Sequence, residues 1–165
     1  MHLSGCILYF SSMKLHEYNT TIEWTGNNGT GTSAYTAYDR SYTIQCEGKP
    51  IIEGTADPVF RGDASKYNPE EMFLASIASC HMLWFLHLAS SNDITVMSYT
   101  DQPVGMMIQN QDGSGQFENV ILRPTIEIVQ KEKSGMINAL HHAASQNCFI
   151  ARSLNFKVTY ESTIK

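Results

Sequence analysis

The sequence predicts an α+β fold, with antiparallel sheets around one long central helix. Three observations carry this reading. The first third of the chain alternates apolar and polar residues between turn-forming clusters, the mark of a strand meander. A stretch from Met72 to Asn92 contains no Asp, Glu, Lys or Arg and follows the strongest helix start in the sequence. Strands then resume, a second helix follows, and a strand closes the chain, an order unlike a βαβ series.

The composition suits a globular chain that buries part of its surface. Its 165 residues fit one domain, and 42% hydrophobic against 16% charged residues excludes intrinsic disorder. A net charge of −5 without any basic run argues against nucleic-acid binding. Charge this sparse suggests that one face is covered by another subunit.

In chain order, His16 to Trp24 places Tyr18, Thr20, Ile22 and Trp24 on one face of a strand. Thr25 to Gly31 is turn chemistry, rich in Gly and Asn. Thr32 to Tyr38, Ser41 to Glu47 and Ile51 to Thr55 read as further strands of the meander. Asp57 to Tyr67 is a loop. Asn68 then offers an N-cap, Pro69 suits the first helical position, and Glu70 and Glu71 complement the helix dipole. Glu71 also stands where a capping box needs its acid. This helix runs to about Ser91. Ser76, Ser79, His81, His87 and Ser90 interrupt its apolar character, so it reads as a buried core helix and not a membrane span. Ile94 to Thr100 and Val104 to Gln109 are strands, and Gln111 to Gly115 is a hairpin turn. Phe117 to Val129 alternates as one strand, with Pro124 marking an edge or bulge. Met136 to Gln146 is the second helix, and Asn155 to Thr163 the last strand.

Four cysteines occur, Cys6, Cys46, Cys80 and Cys148, without CxxC or zinc spacing. They are either inert core thiols or include a pair that does chemistry. The N-terminus lacks a basic region and a sufficient apolar run, so no secretory signal is expected and the protein reads as cytoplasmic. Leu3-Ser4-Gly5-Cys6 spells a lipoprotein cleavage site without the hydrophobic run that must precede one. Residues 1–13 read as a disordered or mis-assigned extension, and residues 14–165 as the domain.

Cys80 lies mid-helix beside His81. Free cysteine is commonly a core residue. Arg61 in the preceding loop, the acids at the helix start, and Cys148 after the second helix favour chemistry instead. A cation lowers a thiol pKa, and a second thiol can resolve an oxidised first one. His81, His87, His141 and His142 occur without HExxH or a carboxylate-rich pattern, so packing is expected rather than a metal site.

The segment Asn68-Pro69-Glu70-Glu71-Met72-Phe73-Leu74-Ala75-Ser76-Ile77-Ala78-Ser79-Cys80 resembles the NPEE-(L/F)-x-A-x-x-x-x-C signature of the OsmC/Ohr family. The position of Cys148, the Gly-rich first turn and the QDGSGQF hairpin fit the same family. Two features depart from the family pattern. Phe-Ile-Ala-Arg-Ser follows Cys148 where Cys-Pro-x-Ser is common, and His81 stands where Phe is frequent.

The resemblance implies a thiol-dependent peroxidase for organic hydroperoxides. Cys80 would be the peroxidatic cysteine, Cys148 the resolving one, and Glu70 the active-site acid. Arg61 would be the partner cation, with Arg40 second and His81 a further neighbour. The resemblance also implies an intertwined homodimer, an external dithiol reductant such as a lipoyl system, and no metal or organic cofactor. Helix geometry adds a constraint. Ten residues of helix span about 15 Å, so Glu70 reaches a Cys80 only from another chain. Two rival readings remain at this point, a hydrophobic-ligand binder and a redox sensor with little turnover.

Overall fold

The computed structural model describes residues 14–165. The expected extension at 1–13, Cys6 included, lies outside the described residues. The chain divides into two compact units, one ending at Gly54 and the other spanning Thr55–Lys165.

The first unit holds an antiparallel sheet in the order β1-β2-β3, formed by β1 (Thr21–Trp24), β2 (Tyr42–Gln45) and β3 (Ile52–Gly54). The register pairs Ile22 with Ile44 and Ile44 with Ile52. The strand expected over Thr32 to Tyr38 is absent, because this segment folds into turns. Its aromatic and β-branched residues mimic a strand, but local bonds take up its backbone. The Ala37 N–H donates to Ala34, and Asp39 N–H donates to Gly26. Trp24 Nε1 donates to the Asp39 carbonyl at 2.8 Å. Gly26 is required there, since a Cβ would lie 2.0 Å from the Asp39 carbonyl oxygen.

In the second unit, α1 (Pro69–Ser91) starts as its sequence dictates. The Asn68 side chain accepts from Glu71 N–H at 2.8 Å, and Glu71 accepts from Asn68 N–H at 3.2 Å. The helix ends in a Schellman arrangement: Ile94 N–H donates to Ala89, Asp93 N–H donates to Ser90, and Asp93 takes a left-handed φ of 54°. Lys133 Nζ donates to the carbonyls of Asn92 and Asp93, complementing the negative helix end.

Two three-stranded sheets accompany this helix. One has the order β4-β7-β9, with β4 (Val96–Asp101), β7 (Pro124–Ile128) and β9 (Thr163–Ile164). The other is β5-β6-β8, with β5 (Val104–Gln109), β6 (Gly115–Leu122) and β8 (Lys157–Tyr160). The strand expected over Phe117 to Val129 is therefore two strands in different sheets. The chain turns at Arg123, whose N–H donates to Asp101 Oδ1 at 2.7 Å. The alternation stays in phase across the turn: Val120, Leu122, Pro124, Ile126 and Ile128 are all buried, which is why the sequence reads as one strand. The sheets are antiparallel except at β6/β8 and β7/β9, which pair in parallel. These pairs need the long crossover that α2 (Ile137–Asn147) and α3 (Phe149–Arg152) provide.

The buried stripe of α1 runs through Ile77, His81, Phe85 and Ala89. Ile77 packs with Val120 and Leu122, and Phe85 and Ala89 pack with Ile126, Ile128, Ile137, Leu140 and Ala144. An opposite stripe of Ala75, Ser79, Leu83, His87 and Ser90 is exposed, with Leu83 at 63%. The helix, 23 residues long, has the length and apolarity of a membrane span, but one side of it forms the core of this unit.

Candidate functional site: a thiol pair between two helices

Cys80 sits half-buried in the middle of α1. Cys148 is fully buried at the junction of α2 and α3. Its N–H donates to Ala144, ending α2, and its carbonyl accepts from Arg152, opening α3. The Cys148 sulfur also accepts from Ala151 N–H at 3.4 Å. Both thiols are free. The two side chains meet: burial first, and then hydrogen bonding with Cys80, push the Cys148 thiol up to about 11.

Aromatic groups flank the pair. Trp84, one turn beyond Cys80, meets Phe149 edge-on with ring centroids 5.9 Å apart. Leu83, Trp84 and His87 line an apolar depression of about 280 Å³. Phe149 is 71% exposed beside it.

His81 follows Cys80 in sequence but turns its ring towards α2. Its Nε2 lies 2.9 Å from His141 Nδ1, and the two rings are nearly parallel. Burial lowers His81 to about 4, and burial with the neighbouring ring lowers His141 to about 3. His141 was not singled out by sequence reasoning as a partner of His81. The buried period of α2, Ile137-Leu140-His141-Ala144, is the signal that places it inward. Among the described residues no three His, Cys, Asp or Glu side chains converge as a metal site.

Glu70 stands in the first turn of α1, where Glu71 does the capping. Its Oε2 is buried and has no hydrogen-bond partner among the described residues. Arg61 is exposed at the end of a 3-10 turn, Pro58–Phe60, with a left-handed φ of 67°. Such backbone in a non-glycine residue is costly and is held here by its neighbours. Asp57 accepts from Phe60 and Gly62 N–H, and a Cβ on Gly62 would lie 1.5 Å from the Ala56 carbonyl oxygen. Arg40 belongs to the first unit. Its guanidinium donates to the carbonyls of Tyr38 and Tyr35 and lies over both tyrosine rings. Cys46 is a free thiol of that unit.

The chain is thus an α+β protein in which one thiol lies on a long apolar helix and a second at the junction of two later helices. The chain belongs to the OsmC-like protein family, whose sequence profile matches residues 62–163. It is similar to an OsmC-like protein of unknown function from Vibrio cholerae, with 31% identity over 90% of this chain and 99% of that one, and a TM-score of 0.79. An organic hydroperoxide resistance protein from Elizabethkingia anophelis shares the fold at 19% identity, covering 91% and 97% of the two chains, with a TM-score of 0.63. An organic hydroperoxide resistance protein from Legionella pneumophila does so at 16% identity, covering 92% and 99%, also at 0.63. No curated protein matches the sequence significantly.

Proposed function

We propose that the protein is a two-cysteine peroxidase for organic hydroperoxides, built from residues 14–165 as one OsmC-like domain and acting as a homodimer in the cytoplasm. The single observation that carries this reading is the contact between the Cys148 thiol and the Cys80 sulfur. The Cys80 thiolate attacks the distal peroxide oxygen. The O–O bond breaks, the sulfur becomes a sulfenic acid, and the departing alkoxide takes a proton to leave as an alcohol. Arg61 stabilises the negative charge on sulfur and on the peroxide oxygens. Glu70, from the second subunit, orients that guanidinium; its carboxylate oxygen, buried without a partner among the described residues, supports this role. Cys148 then attacks the Cys80 sulfenic sulfur, forming a disulfide and expelling water. An external dithiol returns both cysteines to thiols and is itself oxidised to a disulfide. The apolar depression lined by Leu83, Trp84 and His87, one turn along α1 from Cys80, suits an alkyl or aryl peroxide better than hydrogen peroxide.

The test is consumption of cumene hydroperoxide with dihydrolipoamide or dithiothreitol as reductant. Wild type turns over, Cys80→Ser does not, and Cys148→Ser reduces about one equivalent before stalling or over-oxidising. Stoichiometric oxidation without turnover on any dithiol would identify a redox sensor instead. No oxidation of Cys80 would leave the ligand-binding reading.

A further inference from the structure

We propose that the hydrogen bond between His81 and His141 is a positioning device that fixes the register of α2 against α1, and thereby holds Cys148 in reach of Cys80. The inference rests on the two-thiol reading above and adds to it the residues that set the second step.

The bond joins the two helices that carry the thiols. His81 is the next residue after Cys80 on α1, and His141 lies on α2, whose last turn ends at Cys148. A helix is stiff over the seven residues from His141 to Cys148. Holding one end of α2 against His81 therefore sets where the other end delivers its sulfur. The hydrophobic driving force has no direction, whereas a 2.9 Å hydrogen bond fixes distance and angle between the two helices.

The pair is costly to bury, which a merely space-filling role would not require. His81 is 2% exposed and His141 0%. Phe85 stacks on His141 with centroids 4.3 Å apart, and Tyr160 stacks on both rings. His141 Nε2 is buried without a partner among the described residues. An unpaired N–H is the rarer defect, so His141 carries its proton on Nδ1 and donates it to His81 Nε2. His81 Nδ1–H then faces Ser145 Oγ, also on α2, at 3.5 Å.

Added protons break this arrangement. A proton on His81 Nε2 would face the Nδ1–H of His141, and shifting the latter's proton to Nε2 would bury an unpaired donor. Nothing nearby compensates. The titratable groups around the pair are Cys80 on α1, Tyr160 on β8 and, beyond Phe85, Tyr99 on β4 with Asp101 next to it. The Tyr160 hydroxyl donates to the Asn138 carbonyl. Among the described residues, neither ring takes part in an ion pair.

The experiment separates the two chemical steps. Reduced protein receives one equivalent of cumene hydroperoxide; Cys80 sulfenic acid is trapped with dimedone, and the Cys80–Cys148 disulfide is quantified by peptide mass mapping. In His141→Phe, which keeps the stacking and loses the bond, sulfenic acid forms within about twofold of the wild-type rate while disulfide formation slows about tenfold or more. His141→Asn, whose amide sits at the Nδ1 position, restores most of the rate. The wild-type advantage over His141→Phe is held down to about pH 5 and shrinks as pH falls through about 4, where His81 protonates in the folded chain. Should His141→Phe fail to fold by circular dichroism, His141→Gln, with its amide at the Nε2 position, is read in the same way. Equal resolution rates in a folded variant, or equal slowing of both steps, would overturn the proposal. Diamide, which joins the thiols without peroxide, keeps the two readings apart. If wild type ignores peroxide but diamide crosslinks it faster than His141→Phe, the peroxidase reading falls and the positioning role stands. Equal diamide rates would overturn the positioning role.

Discussion

The two sulfurs are unequal in ways that assign their roles. Cys148 is fully buried and its pKa is raised to about 11, so at neutral pH it is a protonated thiol. Cys80 is the more accessible residue, half-buried where Cys148 is fully buried. Alkylation of the reduced protein by iodoacetamide at pH 8, mapped by peptide mass, should label Cys80 well before Cys148; equal labelling would contradict the assignment. The role proposed for Arg61 is tested by substitution. Arg61→Ala should slow sulfenic acid formation about tenfold or more, and Arg61→Lys should rescue it only in part, because lysine lacks the planar fork. An unchanged rate in Arg61→Ala would remove Arg61 from the site. Arg40 is a poorer candidate than the sequence suggests, since its guanidinium serves the turn that carries it.

At the scale of elements, α1 and β5 were readable almost to the residue, and the other strands only in part. The cap, proline, acids and uncharged body of α1 are local signals, and each does in the structure what its chemistry dictates. The turns at Thr32 to Tyr38 misread as a strand because Tyr and Thr have high β propensity wherever they occur. The bend at Arg123 and the parallel pairings depend on distant partners, Asp101, Lys157–Tyr160 and Thr163–Ile164, which no local pattern carries. The thiols were legible through their spacing from Asn68 and the second helix. The His81–His141 contact was not, because it joins residues 60 apart. It has a measurable consequence. Both rings titrate below the 6.5 of an unfolded histidine, so the unfolded chain binds protons first. Stability from the pair is therefore full above about pH 6.5 and is lost as pH falls towards 4. For His81 alone the loss is on the order of 3 kcal/mol, at about 1.4 per pKa unit. Urea midpoints between pH 7 and pH 4.5 should fall in wild type and fall less steeply in a His81→Phe/His141→Phe double variant; parallel slopes would refute this.

For the whole molecule, the exposed stripe on α1 is the feature that one chain leaves unfinished. Among Ala75, Ser79, Leu83, His87 and Ser90 there is no Asp, Glu, Lys or Arg, and Leu83 holds an apolar side chain in water. A second copy of the helix crossing this face would cover it and would bring Glu70 of one chain towards Cys80 of the other. Ile77 is unsuited to testing this, since it lies within the chain's own core against Val120 and Leu122. Leu83, 63% exposed, is the better probe. Light scattering should give about twice the 18.5 kDa chain mass for wild type and a smaller mass for Leu83→Glu. A wild-type monomer that reduced peroxide would refute both the dimer and the cross-subunit role of Glu70.

The central claim is that Cys80 and Cys148 form one redox couple, and it is met most directly by mapping the products of a single oxidation. Fully reduced protein, treated without oxygen with one equivalent of cumene hydroperoxide, should lose two thiols per chain and yield a peptide pair linking Cys80 to Cys148, with Cys46 still free. A protein that keeps all its thiols, or whose Cys80 stops at sulfenic or sulfinic acid while Cys148 remains reduced, would contradict it.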